Sequence, residues 1–447
     1  MPSKILSRRQ LISLKTKKPR INLVEEGRSI FRRIFPGKIR RTQITAKRLG
    51  QKKKEISSGS TNLLARNTRL LRNLKLGSIG LVFISIITLI VSLGINFSRL
   101  EFVGKNLYLS PQWDGRSELN LLVIGVSNKE NNLNFVDLLE VVHVQPQTNK
   151  LNIIAVDVNL GIKLANIRTN VKTTYTLRQL YNYYLAQDLL TGSNNALANF
   201  IDQVEQEVGL KLPKFVMINK SNMDKLTSKL GDTYVNNSSL DWNQQLDYIS
   251  LDKNSHDNQL QNQTELLKAY LLSTNTPVFW LKLVPLILTN SFPKLLVTNL
   301  TSGELLKLFL AIRSIPNSSI NTLITPAREI YLDQESKLLD TNLFASDLKN
   351  LYVSQAILLE QARIDVINGD KKAGLANRTQ RLLENYGLTV VRTTNAEQIY
   401  VRNTLYVVNP DKYPISISYL KQLYPDLEIF KAEYPYRPLG DLVIVVL

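Results

Sequence analysis

Residues 76 to 98, "LGSIGLVFISIITLIVSLGINFS", are 23 consecutive residues without a charge. As a helix rising 1.5 Å per residue the segment is roughly 34 Å long, enough to cross a hydrocarbon core of about 30 Å with some tilt. A chain with this stretch is expected to be divided by a membrane into two parts that never share a core. A cleaved signal peptide is the competing reading, but such peptides lie within roughly the first 15–30 residues and have shorter apolar regions.

The charge supports that division. From Met1 to Lys75 there are 22 Lys and Arg against Glu25, Glu26 and Glu55, a net of +19, which is the net charge of the whole chain. The remaining 34 basic and 34 acidic residues cancel, so a basic arm precedes an electrically neutral body. The positive-inside rule puts the arm in the cytoplasm and the body outside, in a single-pass protein of the plasma membrane. Residues 1–75 read as a mostly disordered arm. Within it, 62–75 form an amphipathic helix that turns Arg66, Arg69, Arg72 and Lys75 toward anionic lipid headgroups. Nucleic acid is not the expected partner, because no folded reader module accompanies the basic runs.

Composition excludes several chemistries. Cysteine is absent, so there are no disulfides, thiolate metal sites or cysteine nucleophiles. His143 and His256 are the only histidines, which leaves few members for a histidine metal site or a Ser-His-Asp triad. His143 alternates with Val142 and Val144 and reads as a strand residue; His256, in "KNSHDNQ", reads as a loop residue.

Beyond a linker at 99–117, strand-like runs ("LNLLVIGV", "DLLEVVHV", "KLNIIAVDV") give way to helical ones ("TLRQLYNYYLAQDLL", "NALANFIDQVEQEVG") and then to "KFVMIN". That order predicts an α/β domain around a central sheet over 118–345. A connector at 346–362 leads to a small α/β unit at 363–447, with strands at "RIDVING", "LTVVRT", "TLYVVN" and "GDLVIVVL" and helices at "GLANRTQRLLENYG" and "SISYLKQLY". The turn "NGDKKAG" has some likeness to an anion cradle, although its glycines also serve the tight turn and the helix start.

In this last unit Asn368, Gly369, Gly374, Leu375, Ala376, Gly387 and Gly440 stand at the spacings of the C-terminal domain named for LytR, which the segment resembles. The opening stretch, with Gly125, Asp137 and Pro146, is similar to the start of the LytR-CpsA-Psr catalytic domain, and "VTNLTSGELLKL" also falls into that register. The resemblance implies a membrane-anchored α/β/α sandwich-like domain followed by the small α/β domain. It implies a function with glycopolymer carried on a polyprenyl diphosphate, transferred to the peptidoglycan wall with Mg²⁺ as cofactor. Bidentate arginines for the diphosphate and carboxylates for the metal are what that chemistry needs.

The arginines are not where the family has them. Phe135, Val158, Ser250, Asp252, Gln259 and Asn262 stand at the corresponding places, with Gln263 following the last, and Asn159 stands where the family's third strand has an Asp after its Arg. Asp137 remains as a candidate catalytic carboxylate or a strand-edge acid. Arg168, Lys172 and Arg178 are candidates for a relocated anion site or for a solvated face. The resulting expectation is a cell-envelope protein that binds or organises wall glycopolymer or its lipid carrier without turnover. The alternative is an active Mg-dependent phosphotransferase, and it requires at least two carboxylates and two cations around Asp137.

Overall fold

The structure is a computed structural model. It describes Phe102, Gly104, Tyr108 and residues 110–447, except 129–132, 166–171, 231–232, 236–237, 242–243, 246–255, 289–291, 330–336, 354 and 371. The basic arm, the amphipathic helix expected within it with Arg66, Arg69, Arg72 and Lys75, the segment 76–98, Arg168, Ser250 and Asp252 lie outside the described residues. Among the described residues no helix is long and apolar enough to cross a membrane.

In chain order the body contains β1 (Leu119–Asn128), β2 (Asn134–Gln145), β3 (Lys150–Ala155), β4 (Gly161–Ala165) and β5 (Lys172–Thr176). Two helices follow, α1 (Leu177–Thr191) and α2 (Ala196–Val208), then β6 (Lys214–Asn219), α3 (Lys220–Leu230), β7 (Thr233–Val235) and β8 (Ser238–Leu240). His256 opens α4 (His256–Ser273) rather than sitting in a loop; α5 (Pro277–Leu288), β9 (Val297–Thr298) and α6 (Ser302–Ser314) come next. The sequence continues with β10 (Ile320–Ile324), β11 (Ala327–Glu329), β12 (Lys337–Leu339), α7 (Thr341–Tyr352) and α8 (Gln355–Glu360).

Six of these strands form one mixed sheet in the order β10-β3-β2-β1-β6-β9. β1 runs parallel to β6 and β3 parallel to β10, while β2 is antiparallel to both β1 and β3. It follows that β1, β3, β6 and β10 all point the same way and their carboxyl ends share one edge. Strand alternation then divides the apolar side chains. Leu122, Ile124, Val136, Leu139 and Val141 pack with Leu177 and Leu180 of α1, with Phe200 and Val204 of α2, and with Phe344 and Leu348 of α7. Leu119, Leu121, Val142, Val144 and Ile153 pack on the other face with α5 and α6 through Leu283, Leu286, Leu305 and Leu308. Helices therefore cover both faces.

The C-terminal segment builds β13 (Arg363–Asn368), α9 (Leu375–Asn385), β14 (Thr389–Asn395), β15 (Thr404–Val407), α10 (Pro414–Leu423), β16 (Glu428–Phe430) and β17 (Leu442–Val446). The sheet order is β14-β13-β17-β15-β16. Between β13 and α9 the Asn368 amide donates to the Lys372 carbonyl at 3.0 Å, and Gly374 takes φ +81° at the helix start. The side chain thus closes the turn in which the sequence suggested an anion cradle.

This second sheet is not independent of the first. Leu382 and Tyr386, at the end of α9, belong to the same apolar cluster as β1 and α2. Asn120 of β1 donates from Nδ2 to the Tyr386 hydroxyl and to the Lys211 carbonyl, both at 2.8 Å. Its Oδ1 accepts from the Tyr352 hydroxyl at 3.0 Å and faces His143 Nδ1 at 2.7 Å. Because the amide orientation is set by the Lys211 carbonyl, Nδ1 must carry the proton and the imidazole is neutral. The ring also packs on Tyr352 at 4.0 Å between centroids. His143 Nε2 is left without a hydrogen-bond partner, 3.8 Å from a Glu118 oxygen.

Two buried groups give the body a defined acid and base response. Burial pushes the His143 imidazole down from 6.5 to about 3. On the opposite face burial pushes the Glu140 carboxyl up from 4.5 to about 8; neither of its oxygens has a hydrogen-bond partner, and the Thr264 hydroxyl beside it donates to the Leu260 carbonyl instead. Unfolded histidine takes a proton below 6.5 that the folded site refuses down to about 3, so this group removes stability as pH falls through that window. Folded Glu140 keeps a proton up to about 8 that the unfolded chain releases above 4.5, so it removes stability as pH rises. From 4.5 to 6.5 the two offset. Between 6.5 and 8 only Glu140 of these two titrates, contributing about 1.4 kcal/mol per pH unit. Urea unfolding of the wild type across that range should therefore be steeper in pH than that of Glu140→Gln, and equal slopes would count against a protonated Glu140.

Candidate functional site

The edge where β1, β3, β6 and β10 end is the usual place for a ligand in an open α/β sheet. Here it is shaped by an irregularity. Gly125 pairs with Leu138 and Val126 with Val136, so Asp137 is the extra residue of a β-bulge. Bulges re-aim side chains, and the backbones approach closely: a Cβ on Gly125 would stand 3.0 Å from that of Leu138.

Asp137 meets Arg178. The guanidinium Nη2 lies 2.5 Å from the carboxylate Oδ1, with both side chains about one-third exposed. Arg178 is held by its backbone as well as by its charge. The first turn of α1 docks on the chain leaving β3, Leu177 N–H donating to the Leu160 carbonyl at 2.9 Å and Arg178 N–H to the Val158 carbonyl at 2.8 Å. At the foot of that turn the Thr176 N–H donates to the Gln179 side chain at 3.3 Å.

A second pair stands one residue from that docking point. Asp157 is buried at 1% exposure, and its Oδ2 lies 3.5 Å from Lys337 Nζ. Its Oδ1 accepts from Asn159 N–H at 2.8 Å, and its own N–H donates to the Thr325 hydroxyl, just past β10, at 3.0 Å. The Lys337 N–H in turn donates to the Asn159 carbonyl at 3.0 Å. The edge thus has the two carboxylates and two cations that turnover requires in number, and each carboxylate is matched to one cation.

Between this edge and α1 opens a cavity of about 150 Å³, lined by Val126, Asn134, Tyr181, Met217, Asn219 and Asn222 with Leu295 and Val297. Tyr181 comes three residues after Arg178, one turn along the helix, so the cavity is next to the ion pair. Its lining is of amide, phenol and apolar groups, with no charged side chain among the described residues.

Of the residues singled out from sequence, the structure brings Asp137 and Arg178 together. Lys172 lies in β5, paired with Ala165. Val158 is 6% exposed in the first apolar cluster, and Gln259 lies in α4. Asp157 and Lys337 were not singled out; the only signal was an acid closing the apolar run "LNIIAVD". The donor set does not suit Mg²⁺. That ion takes oxygen ligands in octahedral geometry, but Asp137 is bound to a guanidinium and Asp157 is divided between a backbone amide and an ammonium. Among the described residues no group of three or more His, Cys, Asp or Glu converges.

Residues 361–446 match the family model described as LytR cell envelope-related transcriptional attenuator. The C-terminal unit is a domain of that family. No curated protein matches the chain. Among solved structures, B. subtilis TagV is similar at 15% identity and a TM-score of 0.42, covering 53% of this chain and 96% of its own. A structure of TagT bound to LIIa-WTA is similar at 14% identity and a TM-score of 0.41, covering 57% and 96%. A protein from Streptococcus agalactiae gives 15% and 0.41, covering 53% and 87%.

The second ion pair can be tested by itself. Lys337→Met strands a carboxylate that is almost fully buried, and stability should fall by about 1–3 kcal/mol. Asp157→Asn in the same background should recover part of that loss. A cycle of urea melts showing simple additivity would mean that the two side chains do not interact.

Proposed function

We propose that the chain is a single-pass protein of the cell envelope, its neutral α/β body held outside the membrane, that binds a polyprenyl-diphosphate-linked glycan at the carboxyl edge of the sheet without transferring it. The LytR-type domain at 361–446 and the charge-free segment after the basic arm support the location. On this reading the body is the three-layered LytR-CpsA-Psr domain that the sequence resembles.

The observation that carries the binding half is the Asp137–Arg178 pair. A partly exposed ion pair contributes only about 0–1 kcal/mol, so a diphosphate oxygen offering charge-assisted bonds of about 1.5–3 kcal/mol can take the guanidinium from Asp137. Asp137 is then a competitor that holds Arg178 ready, not a metal ligand. Turnover is disfavoured by the same pairing, because freeing Arg178 leaves Asp137 as a single carboxylate while Asp157 stays buried against Lys337.

The test uses full-length protein in detergent, a polyprenyl diphosphate carrying a labelled glycan, peptidoglycan fragments as acceptor, and the presence or absence of Mg²⁺. Asp137→Ala should keep binding or tighten it, and Arg178→Ala should weaken it about tenfold, the loss of one charge-assisted contact. Neither variant nor the wild type should transfer label when Mg²⁺ is added. Unchanged affinity in Arg178→Ala would rule out this edge as the site. Mg²⁺-stimulated transfer that vanishes in Asp137→Ala would restore the phosphotransferase.

A further inference from the structure

The five-stranded C-terminal sheet has two unlike faces. One packs under helices, with Ile357 of α8, Ala376 and Leu383 of α9, and Ile417 and Leu420 of α10 against Ile364, Val366 and Leu405. The other has Ile367, Tyr434, Val443 and Val445 at its centre, with Tyr400, Tyr406 and Tyr436 packed on them, and no helical residue takes part.

On this second face the register lays one row across every strand: Arg392, Asp365, Val443, Tyr406 and Phe430. Tyr406 stacks on Phe430 at 5.5 Å with 20° between planes. Tyr434 meets Tyr406 edge-on at 5.3 Å, and Tyr436 meets Tyr434 at 5.5 Å. Five aromatic rings counting Tyr400 therefore cover a sheet face that would ordinarily carry a helix. At the edge of this surface lies a cleft of about 400 Å³, within the range of about 300–1,000 Å³ typical of small-molecule sites. Tyr406 and Tyr434 line it, as do Asn409, Lys412 and Glu433. Arg363 and Asp441 line it as well, 3.8 Å apart across an ion pair.

That lining narrows the ligand. Two cations and two carboxylates cancel, so the cleft neither draws a polyanion nor repels one by net charge. The charged groups supply donors and acceptors alike, and the Asn409 amide has both. Burial pushes the Tyr406 hydroxyl up to about 12 and moves that of Tyr434 the same way, which keeps both phenols protonated at neutral pH. A ligand that matches has an apolar face to lie on rings and a rim of groups that both donate and accept. Pyranose sugars have that construction.

We propose that this cleft binds a neutral oligosaccharide, with the C–H face of a pyranose ring against the half-buried Tyr406, which the buried Tyr434 supports edge-on, and its hydroxyls bonded to Asn409, Lys412 and Glu433. The site is separate from the diphosphate edge of the body, and either can fail without the other.

The experiment uses the full-length protein in detergent and three probes, chitotetraose, cellotetraose and maltotetraose, observed by saturation-transfer NMR and titrated by calorimetry. At least one tetramer should bind at millimolar or lower concentration, with saturation strongest on ring C–H protons. Tyr406→Phe should keep most of that binding and Tyr406→Ala should lose about tenfold, the scale of one aromatic contact. Asn409→Ala, an exposed change that leaves the sheet intact, should also weaken it. Absence of binding by all three tetramers overturns the proposal, as does binding that Tyr406→Ala and Asn409→Ala leave unchanged. Binding of phosphatidylglycerol vesicles that tetramers do not displace, lost in Tyr406→Ala, would assign the surface to lipid and overturn it too.

Discussion

One amide holds the described architecture together. Asn120 interrupts the apolar run of β1, is 7% exposed, and bonds to partners from four other parts of the chain: His143, Lys211, Tyr352 and Tyr386. His143, Tyr352 and Tyr386 are buried, and a buried polar group deprived of its partner costs about 1–3 kcal/mol. A one-residue slip of β1 would turn Asn120 to the other face and orphan all of them. The amide therefore fixes the register of β1 against β2, and with it the position of the bulge that carries Asp137.

The same register explains why the carboxyl edge can hold charge without being an obvious metal site. β1, β2 and β3 present Asp137 and Asp157 at one level, and the docking of α1 on the exit from β3 delivers Arg178 to the first. Lys337 reaches the second because its N–H bonds to the Asn159 carbonyl. The two cations of this edge come from α1 and β12. Each is held against one carboxylate, so the edge carries charge with no net excess of either sign.

Much of this was legible in the sequence. "LNLLVIGV" and "DLLEVVHV" read as near-continuous apolar runs because one face of each strand meets α1 and α2 while the other meets α5 and α6. The C-terminal elements were readable because Asn368, Gly369 and Gly387 mark turns by their own backbone chemistry, Gly387 at φ +88°. Asp137 and Arg178 were each visible as lone charges, but their meeting depends on a bulge, which no periodicity reports. The Asp157–Lys337 pair spans 180 positions and arises where the start of β12 meets the turn after β3, so neither residue stood out. β16 was missed because three residues are too few to show an alternation. Asn120 and Tyr386 are 266 positions apart, and nothing local in either reveals that a C-terminal domain completes the core of the body.

That shared core is the central claim, and the chain contains its own probes for it. Trp113, Trp242 and Trp280 all precede residue 361, so tryptophan fluorescence reports the body alone, whereas amide exchange in β13 and β17 reports the C-terminal sheet. The decisive measurement is urea unfolding followed by both signals on one sample. A single body pinned through Asn120 and Tyr386 predicts coincident midpoints in the wild type, separating when Asn120→Ala and Tyr386→Phe are combined. Midpoints already separate in the wild type would contradict it, leaving the C-terminal domain an independent module.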